Sequence, residues 1–266
     1  MKKLFDDLKK QNRAAFVLFT TCGDPSIEFT EKLVERVCSA GVDIVELGVP
    51  FSDPMADGKT IQEADDRALA GGASLAKVFD MVGRLRAAGV DKKFVLFSYY
   101  NPIFKFGLER AAEKSAQVGI DAWLVVDVPM EESVEVTSVI SSRGIDFIQL
   151  AAPTSSPERI AEISKCGGGF LYYASVAGIT GVRASMPANL LSRLAEVRKA
   201  SVLPVAVGFG ISSPEGAHVA ARNADAVVVG SRFVDTVHKV LSESGEDAAL
   251  KAGADFAAAF VNAMHR

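Results

Sequence analysis

The chain has 266 residues, 49% hydrophobic and 23% charged, with 22 glycines and 10 prolines. These proportions exclude a disordered, collagen-like or disulfide-stapled protein and allow a large buried core. Lys and Arg number 29 against 33 Asp and Glu, a net charge of −4. With no basic cluster longer than Lys92-Lys93 beyond the N-terminal tail, neither nucleic acid nor a membrane is an expected partner.

Cys22, Cys38 and Cys166 form no CxxC pair and leave an odd count, so no zinc ribbon or disulfide framework is expected, and a reducing cytoplasm is the expected setting. Acidic and basic residues break up the first ten positions before an apolar signal core could develop. No run approaches the ~18 apolar residues of a membrane-spanning helix.

Taken in chain order, eight short β-branched and aromatic runs stand out, at 15–20, 43–48, 94–99, 122–127, 146–151, 170–175, 202–208 and 225–230. Most are continuously apolar, as strands covered on both faces of a parallel sheet should be. Stretches of helical spacing follow them, at 27–40, 75–88, 108–118, 131–142, 157–165, 187–200, 214–221 and 233–242. Ser156-Pro157 and Ser213-Pro214 are helix starts, and the glycines at 41, 89 and 144 mark helix ends. Residues 49–73 form an insertion with an extra helical segment at 61–69. An amphipathic segment at 4–10 and an Ala-rich one at 248–264 lie outside the repeat. Eight strand–helix units without a linker predict an α/β fold, a single (β/α)8 TIM barrel over 1–266 with an N-terminal helix closing its bottom and extra helices elsewhere. The alternative, a doubly wound sheet, lacks its glycine fingerprint, because Cys22-Gly23-Asp24-Pro25 follows the first strand.

Barrel active sites lie at the C-terminal ends of the strands. In the second run Ile44, Glu46 and Gly48 share one face, so Glu46 points either into the barrel or out among the helices. In both cases it is desolvated, which raises a carboxyl pKa toward the acid–base range. None of the other seven runs holds a Lys or Arg to pair with it. The loop behind it carries Asp53, suited to a turn or cap, and Asp57, which can reach over the barrel mouth as a second carboxylate. Glycines end the last strands at Gly208, Gly210 and Gly230, and a Gly-rich loop spans 177–181. Together these form a nest of backbone N–H groups suited to a phosphate. Phe19, Tyr99, Tyr172 and Phe209 fall near strand ends, where they can line a pocket for a flat ring. The histidines, His218, His238 and His265, all lie on helical stretches, so a histidine triad or metal site is not expected.

The run Val45 to Gly58, with Ile61-Gln62 after it, resembles the signature of the tryptophan synthase α subunit family. So do Gly23-Asp24-Pro25, Tyr100-Asn101-Pro102, Asp127-Val128-Pro129, Tyr172 with Gly178 to Gly181, Gly208 to Ser213, and Gly230-Ser231. The resemblance covers nearly the whole chain in order. It implies a lyase that splits indole-3-glycerol phosphate into indole and glyceraldehyde 3-phosphate by a retro-aldol reaction, without a cofactor of its own. It implies Glu46 as the acid–base residue and Asp57 as the carboxylate at the indole N–H. Phe19, Ile61, Tyr99, Leu124, Tyr172, Thr180 and Phe209 are implied as substrate contacts, and Gly181, Gly210, Gly230 and Ser231 as the phosphate cradle. It further implies a β subunit carrying pyridoxal phosphate as partner in an α2β2 tetramer. Asp53 and Pro54 are implied to face that partner, and loops 50–60 and 176–187 to act as lids. Four positions depart from the family pattern. Lys59 replaces a usual proline and is expected to lower the pKa of Asp57. Cys22 stands where Ala is common, and Arg232-Phe233 where small or aliphatic residues are typical.

Overall fold

The computed structural model describes residues 1–174, 190–208 and 210–265. Among them nine strands pair in parallel: β1 (Ala15–Thr21), β2 (Ile44–Gly48), β3 (Lys93–Ser98), β4 (Ala122–Val125), β5 (Asp146–Phe147), β6 (Gln149–Ala151), β7 (Leu171–Ala174), β8 (Val205–Gly208) and β9 (Ala226–Val229). They run in the order β5-β4-β3-β2-β1-β9-β8-β7-β6. The outermost two are pieces of one segment, interrupted only at Ile148, whose N–H donates to the Trp123 carbonyl at 2.8 Å. The sheet therefore closes into a barrel of eight strand positions, as the eight runs predict. The run at 202–208 starts later than expected, because Val202 is 66% exposed and Pro204 cannot donate to the ladder.

Twelve helices cover the barrel among the described residues: α1 (Lys2–Lys10), α2 (Ile27–Ser39), α3 (Lys59–Ala70), α4 (Leu75–Ala87), α5 (Tyr100–Phe106), α6 (Leu108–Val118), α7 (Ser133–Ile140), α8 (Pro157–Cys166), α9 (Leu190–Ala200), α10 (Pro214–Ala221), α11 (Ser231–Ser244) and α12 (Glu246–Asn262). Ser26, Ser156 and Ser213 cap the helices that follow them, accepting from Phe29, Arg159 and Gly216 N–H at 3.1–3.2 Å. The expected helix at 131–142 is shorter, ending at Ile140 in a 3₁₀ turn over Ser141–Arg143. Helix α5 is unanticipated. Pro102 sits in its first helical turn, where its missing N–H has no intrahelical acceptor to lose. Asp127 Oδ1 receives the N–H of Tyr100 at 2.8 Å and fixes the start of this helix.

Two apolar layers result. Strands contribute outward residues such as Phe16, Val45, Leu47 and Trp123 to the layer beneath the helices. Inward residues, including Val17, Ile44, Val95, Leu124, Phe170 and Val228, fill the barrel together with Phe5 and Leu8 of α1. The Phe5 and Phe170 rings meet edge to face at 6.0 Å, so α1 closes the bottom as expected. Helix α12 packs outside, where Phe260 stacks on Phe16 at 5.7 Å.

The bottom of the barrel also carries a repeated polar clamp. Asp43, Asp121 and Asp225 each accept a backbone N–H from a neighbouring strand, those of Phe16, Phe94 and Val205, at 2.8–3.0 Å. Each is also paired with a cation: Arg13 on Asp43, Arg86 and Lys93 on Asp121, and Arg198 on Asp225. Lys93 opens β3, one residue before the predicted run, but it is held by Asp121 and not by Glu46. At this end acids and bases are matched, which stabilises strand register.

Candidate active site

At the C-terminal end of the strands Glu46 is buried with no matching cation among the described residues. Glu46 alternates with Ile44 on β2, and Ile44 belongs to the barrel interior. The side chain of Glu46 therefore points inward, which settles the choice left open by the alternation. Its neighbours across the sheet are Phe19 on β1 and Val95 on β3. Only 1% of the residue is exposed, and Oε1 has no hydrogen-bond partner among the described residues. Burial alone pushes its pKa up to about 8. A carboxyl in this state holds its proton at neutral pH and can donate it.

Asp57 stands in the loop behind β2. Its Oδ2 accepts the Tyr99 hydroxyl at 2.7 Å, and the same hydroxyl accepts Ala56 N–H at 2.9 Å. The Tyr99 ring packs on Phe51 at 5.1 Å. Burial raises the pKa of Asp57 and the Tyr99 hydrogen bond pulls it back. The expected effect of Lys59 is absent, because its ammonium turns away to Glu63 at 3.5 Å and Asp57 is shifted upward.

Glu46 and Asp57 line one cavity of about 380 Å³, a size suited to a small ring-bearing ligand. Phe19, Ile61, Phe97 and Val228 supply its apolar wall, and Tyr172 lies against it. Burial raises the Tyr172 pKa, and Glu46 and Asp57 raise it further. Gly210, Gly230 and Ser231 line the same cavity. Gly210 has φ of +83°, a conformation that favours glycine. Ser231 opens α11, where first-turn N–H groups lack intrahelical acceptors. Among the described residues, then, acid, ring wall and amide rim face one space.

Other expected residues fall elsewhere. Tyr99 acts on the cavity through Asp57. Leu124 is fully buried within the barrel and is not part of the cavity wall. Asp53 is exposed at the loop surface with Ser52 Oγ donating to it at 2.6 Å, and Pro54 is half-buried beside it. Thr180, Gly181, Phe209 and the whole of loop 176–187 lie outside the described residues.

Sequence reasoning passed over several groups here. Phe97, Ile211, Ser212 and Val228 also line the cavity. Asp65 on α3 is 4% exposed, and burial, then Asp57, raise its pKa to about 8. Its spacing from Ile61 and Ala68 on the buried helix face was the available signal. Asp24, in the Gly23-Asp24-Pro25 turn, receives a bidentate pair of bonds from Arg67 of α3 at 2.7–2.8 Å. That motif thus anchors the helix behind Asp57. No cluster of metal-ligating side chains occurs among the described residues, and none of their helices is long and apolar enough to cross a membrane.

The closed parallel barrel and its carboxyl-bearing mouth define a TIM-barrel enzyme, with the chemistry at the C-terminal ends of the strands. The family model described as "Tryptophan synthase alpha chain" matches residues 5–263, and the chain belongs to that family. The tryptophan synthase alpha chain of Citrifermentans bemidjiense is 50% identical over 235 residues, covering 88% of both chains. That of Geobacter sulfurreducens is 48% identical over 230 residues, covering 86% of this chain and 87% of the relative. The crystal structure of tryptophan synthase subunit alpha from Legionella pneumophila superposes with a TM-score of 0.90 at 32% identity, covering 99% and 97% of the two chains. A structure of Mycobacterium tuberculosis tryptophan synthase gives 0.89 at 30% identity, with the same coverage. Alpha subunits cleave indole-3-glycerol phosphate in tryptophan biosynthesis and have a beta subunit as partner. This chain is a lyase of that kind.

Proposed function

We propose that Glu46 and Asp57 divide the retro-aldol cleavage between them. The protonated Glu46 carboxyl donates its proton to C3 of the indole ring, and Asp57 as carboxylate accepts the indole N–H, where positive charge develops. The bond from C3 to the glycerol chain then breaks, and its electron pair restores the aromatic ring. The adjacent glycerol hydroxyl loses its proton to Glu46 and becomes the aldehyde carbonyl of glyceraldehyde 3-phosphate. Each proton donated is recovered, so the cycle consumes nothing but substrate. Tyr172 packs beside Glu46, and Phe19 and Ile61 flank the ring. Gly210, Gly230 and Ser231 supply main-chain amides to the phosphate, with Gly181 assigned to the same cradle on the sequence resemblance.

One observation carries this reading: Glu46 is an inward-facing, 1% exposed carboxyl whose Oε1 lacks a partner among the described residues, on the wall of a ring-sized cavity. A buried, unpaired acid costs folding free energy and is not explained by stability. Glu46→Gln and Asp57→Asn are each expected to reduce indole release from indole-3-glycerol phosphate by at least ~10²-fold with the fold intact. Near-normal turnover in Glu46→Gln would overturn the assignment.

The beta subunit, with pyridoxal phosphate in that partner only, completes the proposed α2β2 enzyme and takes up the indole. Asp53 and Pro54 are placed at its interface. Met55, 87% exposed, and Phe104, 66% exposed, stand at the same rim, one in the loop after β2 and one on α5 after β3. Exposed large apolar side chains there suit a docking surface. A reducing cytoplasm is the proposed setting.

A further inference from the structure

We propose that Arg232 is a side-chain ligand of the substrate phosphate, adding a formal positive charge to a cradle otherwise built from main-chain amides. The inference rests on the lyase reading and deepens it by naming a group that sets phosphate affinity.

Arg232 lines the same cavity as Glu46, next to Gly230 and Ser231 and together with Gly210 and Ser212. The cavity already shows that it is built for a ligand, since Glu46 is buried and presents on its wall an oxygen with no partner among the described residues. Arg232 is the second residue of α11. A cation in the first turn opposes the helix dipole, and the arrangement becomes favourable once an anion binds between the N–H groups and the guanidinium.

The guanidinium is available for that role. Its side chain is 44% exposed, and its contact with Asp235 is long, 3.5 Å, between two exposed groups. Such a pairing is worth little and exchanges readily for a stronger acceptor. A phosphate dianion is stronger, because the planar guanidinium can give it two parallel N–H bonds. With the phosphate bound, Arg232 also screens it from Asp235, which lines the cavity as well. Lys59 at the cavity mouth adds positive potential, its side chain 86% exposed and its only ion pair among the described residues a long one, 3.5 Å to Glu63.

The test compares the unmutated chain with Arg232→Ala and Arg232→Lys in complex with the beta subunit. Arg232→Ala is expected to raise the KM for indole-3-glycerol phosphate about 10-fold, with the effect in KM and not in kcat. Arg232→Lys should recover part of the loss. In the condensation direction the KM for glyceraldehyde 3-phosphate should rise similarly, and that for indole, which lacks the phosphate, should stay within about twofold. A KM for indole-3-glycerol phosphate within about twofold of the unmutated value would overturn the proposal, as would an equal rise for indole. Calorimetric binding of inorganic phosphate gives a reading independent of turnover: weaker binding to Arg232→Ala supports the role and unchanged binding refutes it. Absence of cleavage by the unmutated chain would refute the lyase reading instead.

Discussion

The Tyr99 hydroxyl donates to Asp57 Oδ2 at 2.7 Å while accepting Ala56 N–H at 2.9 Å. A side chain at the end of one strand thereby holds both the backbone and the carboxylate of the loop behind the adjacent strand. The bond favours the ionised form of Asp57 against its burial. Tyr99→Phe removes it, so the pKa of Asp57 rises. Because the proposed role of Asp57 needs its carboxylate form, the acid limb of the kcat profile is expected to move to higher pH. A pH series on the variant checks this, and an unmoved limb would separate Tyr99 from Asp57.

Glu46 and Asp65 both have folded-state pKa values raised to about 8. A carboxyl with a raised pKa binds its proton more tightly folded than unfolded, so its proton is kept only in the folded chain between about pH 4 and pH 8. Stability is therefore expected to fall as pH rises through that window. Urea titrations should show this slope, reduced in Glu46→Gln and in Asp65→Asn, with both variants more stable than the unmutated chain at pH 8. A slope unchanged by either substitution would contradict the burial argument.

Gly208 leaves room for Tyr172. A Cβ at this position would lie 2.7 Å from Tyr172 Cζ and 2.9 Å from Cε1, distances that force the ring to move. Overpacking of this kind costs about 1–3 kcal/mol. Gly208→Ala is expected to keep the fold by circular dichroism and lose about 10-fold or more in kcat, because the displaced ring lies beside Glu46. Full activity in a folded variant would show that the position of Tyr172 is not critical.

The Arg67–Asp24 pair holds α3 to the loop after β1 with two bonds at 2.7–2.8 Å, and the Asp24 side chain is 9% exposed. Arg67→Ala leaves that carboxylate without its partner and is expected to cost about 2–3 kcal/mol by urea unfolding. Arg67→Lys should recover only part, since an ammonium cannot match the bidentate geometry. Complete rescue by Lys would mean that charge alone matters.

The strand pattern was readable because strands covered on both sides are continuous apolar runs, and β1 is buried at all seven positions. Strand ends were less readable. In the run at 202–208, Val202 and Leu203 precede a proline, and only the exposure of the folded chain shows where pairing begins. Alternation placed Glu46 on a face with Ile44 but could not say which face was inside, since that depends on the neighbours Phe19 and Val95. Asp65, Arg67 and the contact between Tyr99 and Asp57 were out of reach for a related reason. Their partners are separated by more than ten residues of sequence or lie on different elements, and tertiary closure alone brings them together. Lys59 misled because proximity along the chain did not determine where its flexible side chain turned.

The central claim is that Glu46 sits inside the barrel with its proton retained at neutral pH. The most direct measurement is an NMR titration of the ¹³C-labelled glutamate side-chain carboxyls, with the Glu46 resonance assigned by its loss in Glu46→Gln. A midpoint near 8 is expected. A midpoint in the ordinary carboxyl range, near 4.5, would mean that Glu46 is already ionised at neutral pH and is not the proton donor.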